Sequence, residues 1–249
     1  MDYKPDYSEF SDPRLVAIYD TVNPIESYQA FYLTLAKRLS ASTIIDLGCG
    51  SGLLTCELAK QGHHMIGVEP SVLLDLARRR PGCENVTWIQ GHVEQLGDHK
   101  TDLAIMTGHV AQFFLEDESW RSALASIHKA LTPGGHIAFE SRNSLVPTFA
   151  GWPTSTARKK LHDPVAGDIE WWGEILEKKG NKVRYEIHYL FANSGAEVVS
   201  RNELIFRTQE EISQTLADAG FVVKEVYGDW DSSPATATSP EMIFVAGSV

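Results

Sequence analysis

Between residues 43 and 141, short apolar runs alternate with longer segments whose apolar residues recur every three or four positions. The runs "TIIDL", "HHMIGVEP", "NVTWIQG", "TDLAIMTG" and "HIAFES" have strand length. The stretches "GLLTCELAKQG", "SVLLDLARRRP" and "DESWRSALASIHKAL" have helical spacing. Gly62 is placed to close the first helix, Ser71 to cap the second, and "TPGG" to stop the third. Strictly alternating strands and helices predict a parallel sheet with helices on both faces.

The pattern changes after Arg142. Residues 143–166 carry prolines 147, 153 and 164 and read as loop. From Gly167 to Arg207, apolar and polar residues alternate, with turn signals at "KKGN" and "NSGA", which predicts three antiparallel strands. A helix follows in "TQEEISQTLADAG", opened by a capping box of Thr208 and Glu211. "FVVKEVYGDW" and "EMIFVAG" then read as two further strands. Upstream, "PRLVAIYD" and "ESYQAFYLTLAKRLS" read as two helices folded over the site, with Tyr19 and Tyr32 facing it. The expected division is 1–142 for the early helices and α/β core, 143–207 for an inserted antiparallel sheet, and 208–249 for the end of the core.

The chain has 249 residues and a formal charge of -11, which disfavours a nucleic-acid partner. Its most basic stretch, "ARRRP" (Ala77 to Pro81), reads as the solvated end of a helix. No segment approaches the roughly 18 apolar residues needed to span a bilayer, and no signal peptide is evident in "MDYKPDYSEFSDP", so a cytoplasmic location is expected. Cys49, Cys56 and Cys83 fit no zinc spacing and are expected to be reduced thiols.

"TIIDLGCGSGLL" places an acid, Asp46, and three glycines, Gly48, Gly50 and Gly52, between a strand and a helix. Glycines let backbone approach a ligand, and a helix start offers free N–H groups. A dinucleotide site wants G-x-G-x-x-G; here Leu53 stands where the third glycine belongs, which weakens an NAD reading. Glu69 ends the second strand, where a carboxylate can accept both ribose hydroxyls of an adenosine ligand.

The succession "DLGCGSG", "GVEP", "GHVEQL" and "TPGGHIAFES" resembles the motifs of class I S-adenosylmethionine-dependent methyltransferases. "YD…NP", "MTGHVAQ" and "GDWD…SPEMI" extend the resemblance to a bacterial subgroup that modifies small molecules. It implies a Rossmann-like, seven-stranded, mostly parallel sheet with helices on both faces, a reversed seventh strand, and an inserted antiparallel β-sheet. It implies S-adenosyl-L-methionine as cofactor and S-adenosyl-L-homocysteine as product. By the same resemblance, Asp46 and the turn Gly48, Cys49, Gly50 and Gly52 hold the methionine moiety. Glu69 holds the ribose, Pro70 lies against adenine, and His92 and Val93 lie at the adenine edge, where the subgroup's usual acid is replaced by His92 and Glu94 is an alternative. Thr107 belongs to the same cofactor set.

Methyl transfer from a sulfonium is a direct displacement, so the protein's main task is to position the reactants. His109, after the fourth strand, is the candidate base, or else shapes the cofactor pocket. Tyr19, His109, Gln112, Arg142 and Trp230 are the candidate acceptor pocket, and Glu140 either contacts a polar substrate or pairs with Arg142. Asp102 and the acids Glu116, Asp117 and Glu118 are explained by strand and helix ends, so no metal is assigned. Trp152, Trp171 and Trp172 either stack on a flat substrate, bury one face of the inserted sheet, or form a dimer contact; a homodimer through that sheet stays open. The acceptor atom, N, O or C, also stays open. The alternative function is a non-catalytic S-adenosylmethionine-binding regulator or scaffold.

Overall fold

The computed structural model describes residues 3–147 and 149–249, without the side chains of Glu26 and Ser27. Expectations touching residues 1, 2 and 148 and those two side chains lie outside the described residues. In chain order the elements are α1 (Pro13–Ala17), α2 (Tyr19–Val22), α3 (Glu26–Arg38), β1 (Thr43–Leu47), α4 (Leu53–Lys60), β2 (His64–Glu69), α5 (Leu74–Arg79) and β3 (Thr87–Gln90). They continue with β4 (Thr101–Met106), α6 (Asp117–Ala130), β5 (Leu131–Arg142), β6 (Lys159–Asp163), β7 (Gly167–Lys179), β8 (Lys182–Phe191), β9 (Ala196–Ile205), α7 (Gln209–Asp218), β10 (Phe221–Tyr227) and β11 (Glu241–Ser248).

The chain divides into two compact units. One combines Met1–Pro24 with Pro147–Ile205, the other Ile25–Val146 with Phe206–Val249. The N-terminal stretch, grouped with the core on sequence, therefore packs with the inserted sheet.

The larger unit is a seven-stranded sheet in the order β10-β11-β5-β4-β1-β2-β3. β1 to β5 run parallel, and β11 lies antiparallel between β5 and β10. Side chains on a strand point alternately to the two faces, and here both faces are covered. Ile45, Leu47, Ala104, Met106, Ile137 and Phe139 pack with α6 and α7. Ile44, Leu103, Ile105 and Ala138 pack with α3 and α4. Burial on both sides explains why these strands read as unbroken apolar runs. The strand order reverses between β1 and β4, so the crevice beyond their carboxyl ends is the expected ligand position.

Local signals behave as their chemistry demands. Gly62 has φ 95° and its N–H donates to Ala59 O at 3.0 Å, closing α4. Thr208 and Glu211 form the reciprocal capping box of α7. Helix α5 starts later than expected, at Leu74 with Leu73 as its cap; Ser71 Oγ still accepts from Leu73 N–H at 3.2 Å. The segment "TPGG" lies within β5, which begins directly after α6.

The smaller unit contains a four-stranded antiparallel sheet, β6-β7-β8-β9, rather than three strands. The extra strand, β6, falls in the stretch read as loop. Its sequence "KKLHD" is short, and only Asp163 is buried. A polar edge strand has no alternating pattern to reveal it, and its lysines discourage further pairing.

Candidate functional site

At the end of β1 the chain turns three times through left-handed backbone, with φ 73° at Gly48, 56° at Gly50 and 77° at Gly52. A side chain at Gly48 would run into Val110 as well as strain the backbone, and one at Gly52 would meet Ala77 Cβ at 2.8 Å. Gly48 N–H and Cys49 N–H donate to Val68 O at 2.8 and 3.2 Å, which ties the turn to β2. Arg80, from the basic run, donates Nε to Ser51 O at 3.1 Å and serves the same turn.

Two buried acids frame it. Glu69, 7% exposed, accepts from Gly50 N–H at 3.0 Å and from Ser71 N–H at 2.9 Å. Its carboxylate is thus fixed at the end of β2, beside the glycine turn. Asp46 accepts from Thr55 Oγ1 at 2.6 Å through Oδ2, but Oδ1 is buried without a partner. Burial, and then the nearby Glu69 and Glu140 carboxylates, push Asp46 up to about 7 against the Thr55 bond. An unmatched buried carboxylate oxygen is costly, and a ligand ammonium would relieve it. A glycine cradle that admits no side chain at Gly48, with an acid short of a donor, fits the methionine end of S-adenosylmethionine. Glu69 fits its ribose.

The remaining cofactor candidates are spread along the same edge. Pro70 is exposed and its carbonyl accepts from Gln90 Nε2 at 2.9 Å. His92 is exposed and caps the turn Val93–Leu96, with its N–H donating to Gln95 Oε1 at 2.6 Å. Val93 is in the core and Thr107 is buried after β4.

Beyond β4 and β5 lies a linked polar set. His109 has φ 63°, an uncommon backbone for a non-glycine residue. Its N–H donates to Glu140 Oε1 at 2.8 Å, and Tyr32 OH donates to Glu140 Oε2 at 2.5 Å. His109 Nε2 lies 3.0 Å from each oxygen of Glu241. Burial pushes the Glu140 carboxyl up, against the favourable field of His109 and the bonds from Tyr32 and His109. Burial and Glu140 together raise the Tyr32 phenol well above its ordinary range. Glu140 thus pairs with Tyr32 and His109. Gln112, 1% exposed, accepts from Arg142 Nη1 at 3.0 Å. Trp230 packs against Tyr28, Phe31 and Tyr32, at ring separations of 5.8, 5.9 and 6.2 Å.

The structure therefore brings together His109, Gln112, Arg142 and Trp230, with Asp46 and the glycine turn, in the larger unit. Tyr19 belongs to the smaller unit, in α2. Glu241 was missed on sequence. Its signal is topological: β11 runs antiparallel to β5, with Glu241 opposite Arg142. The first residue of the reversed strand therefore lies at the carboxyl ends of the others.

The cysteine expectation is corrected. Cys56 and Cys83 form a disulfide, their Cα atoms 5.3 Å apart. Cys56 lies on the buried side of α4 and Cys83 just before β3, and both enter one apolar cluster. Separated by 27 residues, the pair has no short spacing to announce it. Cys49 is free; burial, then Asp46 and Glu69, hold its thiol well above the usual range, which removes it as a thiolate nucleophile. Among the described residues no group of three or more His, Cys, Asp or Glu is placed to hold a metal ion, and no helix is long and apolar enough to cross a membrane.

Residues 44–135 match the family described as methyltransferase domain. The cypemycin N-terminal methyltransferase of a Streptomyces species is 25% identical over 241 residues, covering 94% of this chain and 96% of that protein. Among solved structures, an S-adenosylmethionine-dependent methyltransferase from Clostridium acetobutylicum superposes with TM-score 0.78 at 13% identity, covering 94% of this chain and 97% of that one. An amino pentose methyltransferase of calicheamicin biosynthesis from Micromonospora echinaspora, solved with S-adenosylmethionine bound, gives TM-score 0.72 at 22% identity, covering 93% and 97%.

Proposed function

We propose that this chain, a class I S-adenosylmethionine-dependent methyltransferase acting on a small molecule, methylates an amine nitrogen. The observation that carries the reading is the His109–Glu241 pair, set beside the buried Glu140 at the strand ends. When bound, S-adenosylmethionine supplies the methyl group on a positively charged sulfur leaving group. The protein's own residues do the rest. Asp46 and the glycine turn bind the amino-acid end, and Glu69 binds the ribose. Trp230, Tyr28, Phe31 and Tyr32 form an aromatic wall that limits water.

An aliphatic amine in neutral solution is mostly ammonium, as for lysine with its reference value of about 10.4. It must lose a proton before its lone pair can attack. Glu241 and Glu140 attract the ammonium and repel anionic acceptors. With His109 Nε2–H donating to Glu241, Nδ1 is the basic nitrogen and can take the proton, Glu241 then steadying the imidazolium. The similar protein named as the cypemycin N-terminal methyltransferase, and the one named as an amino pentose methyltransferase, support an acceptor that carries an amine.

The test is methyl incorporation from S-adenosylmethionine into matched amines and alcohols, read by mass spectrometry. Amines should gain the methyl group, and His109→Ala and Glu241→Gln should each lower kcat by on the order of 100-fold while S-adenosylhomocysteine affinity is kept. Methylation of hydroxyls alone, or full turnover in both variants, would overturn the reading.

A further inference from the structure

Within the smaller unit, the inward face of β8 and β9 is largely apolar, with Val183, Ile187, Phe191, Val198 and Leu204 buried. Besides Tyr185, three residues with polar groups interrupt it. Tyr189 is 2% exposed, and Ser200 and Asn202 are 0% exposed. Tyr189 and Ser200 bond to Glu9, in the short turn Ser8–Phe10, and Asn202 joins them through Ser200. Tyr189 OH donates to Glu9 Oε2 at 3.3 Å, and Ser200 Oγ donates to Oε1 at 3.4 Å. Glu9 N–H donates back to Ser200 Oγ at 3.3 Å, and Asn202 Nδ2 donates to Ser200 O and Oγ at 3.2 Å each.

This set is not arranged for stability. The bonds that reach the carboxylate, at 3.3 and 3.4 Å, are long. No lysine or arginine among the described residues pairs with Glu9, and the charge that acts on it is another acid, Asp6. Asn202 Oδ1 is buried with no donor. Trp171 Nε1 is also buried with no acceptor, and Trp171 stands directly opposite Tyr189 in the register, on the same face of the sheet. A half-buried carboxylate without a cation, and buried polar atoms without partners, oppose folding. Burial accordingly pushes Glu9 up to about 7, against the bonds from Tyr189 and Ser200.

We propose that Glu9, Tyr189, Ser200 and Asn202 form a binding site for a ligand that presents an ammonium group. The ammonium supplies the missing positive charge, and its three N–H donors match the acceptors on offer: the Glu9 carboxylate, Asn202 Oδ1 and the Tyr189 oxygen. An anion would face Glu9 and Asp6. A neutral polyol supplies donors without the charge. Glu9 keeps some solvent exposure, while Tyr189, Ser200 and Asn202 are almost wholly buried, so the ligand reaches the cluster at Glu9.

The experiment is a nuclear magnetic resonance titration of the full chain, ¹³C-labelled at glutamate carboxyls, with ethanolamine as probe and ethylene glycol as the uncharged control. It contains no methyl donor, so its outcome is independent of the proposed acceptor chemistry. The Glu9 signal, assigned from Glu9→Gln, should shift saturably with ethanolamine below about 100 mM, an affinity range worth only a few kcal/mol, and stay still with ethylene glycol. Ring shifts of Tyr189 should saturate in parallel, and in Glu9→Gln they should require at least about tenfold more ethanolamine. Glu9→Gln should also unfold at a higher temperature than the parent, because the uncompensated charge is gone. No saturable shift, an equal response to ethylene glycol, an unchanged Tyr189 titration in Glu9→Gln, or a marked loss of stability in that variant would each overturn the proposal. Tyr189→Phe, which keeps the ring in place, should weaken ethanolamine binding severalfold; unchanged binding there would remove Tyr189 from the site.

Discussion

With the cofactor's ammonium proposed to sit on the unmatched Asp46, its binding is expected to depend on pH in a calculable way. In the ligand-free protein its carboxyl is raised to about 7 by burial and by Glu69 and Glu140. A ligand ammonium seated on Oδ1 requires the ionised form. Affinity then falls as pH drops through 7, by the factor 1 + 10^(7−pH). That is about 1.1 at pH 8 and about 11 at pH 6, a tenfold change worth about 1.4 kcal/mol. The assay is calorimetric titration with S-adenosylhomocysteine, which keeps the amino-acid end and undergoes no transfer. At pH 6, about 0.9 proton should leave the protein on binding, visible as a dependence of the heat on the buffer's ionisation enthalpy. Asp46→Asn should bind more weakly at pH 8 and show neither the slope nor the proton release. The same shift has a consequence for folding. A carboxyl raised above its ordinary value contributes stability below about 4, and loses it as pH climbs to about 7. Ligand-free Asp46→Asn should therefore be more stable than the parent at pH 8, by at most about 4 kcal/mol for the 3.2 units between 3.8 and 7. A flat dissociation constant between pH 6 and 8, or a slope that survives in Asp46→Asn, would refute the reasoning.

Other outcomes follow from single contacts. Glu69→Ala strips the acceptor from Gly50 N–H and Ser71 N–H and from the ribose it is proposed to hold; S-adenosylhomocysteine affinity should fall by about 1.5–3 kcal/mol, and an unchanged dissociation constant would remove Glu69 from the site. Gly48→Ala adds a Cβ against Val110 at φ 73°; thermal unfolding should show a loss of at least about 1–2 kcal/mol from the backbone alone. Thiol titration of the unreduced, denatured protein should count one free cysteine, Cys49. Reduction should cost about 3–4 kcal/mol for a loop of this length; a count of three thiols would dismiss the disulfide.

The parallel core was legible because each of its strands is buried on both faces and each helix on one, which leaves unbroken runs and helical spacing in the text. The glycine turn was legible because positive φ at Gly48, Gly50 and Gly52 narrows the choice of residue. What escaped was what depends on distant pairing. Strand β6 is polar and marginal to its sheet. Cys56 and Cys83 meet only through the packing of α4 against the approach to β3. Glu241 looks like any strand-opening acid until the reversed direction of β11 brings it to His109. Glu140 carried two readings on sequence, because nothing local distinguishes a salt-bridge partner from an acceptor for Tyr32 and a backbone N–H. Arg142 turns to Gln112 for the same nonlocal reason.

Burial alone does not separate the acids that hold the fold from those that serve ligands; the supply of donors does. Asp163 is 4% exposed, yet it stays below its ordinary value, because Ala166 N–H, Thr21 Oγ1 and Val165 N–H outweigh its burial. Asp102 is held low by Thr43 N–H and Ser42 N–H. Asp12 is held low by Arg14. These carboxylates are satisfied by the chain itself. Asp46, Glu140 and Glu9 go the other way: burial dominates, and other acids add to it. Asp46 keeps a bare oxygen, and Glu9 sits beside the bare oxygen of Asn202. A sequence has cheap ways to remove such groups, since an amide or an apolar side chain would fit the same space. Their presence in both units, in a chain of net charge -11, is intelligible if cationic ligands complete them: the methionine ammonium at Asp46, an amine beside Glu140 and Glu241, and an ammonium at Glu9.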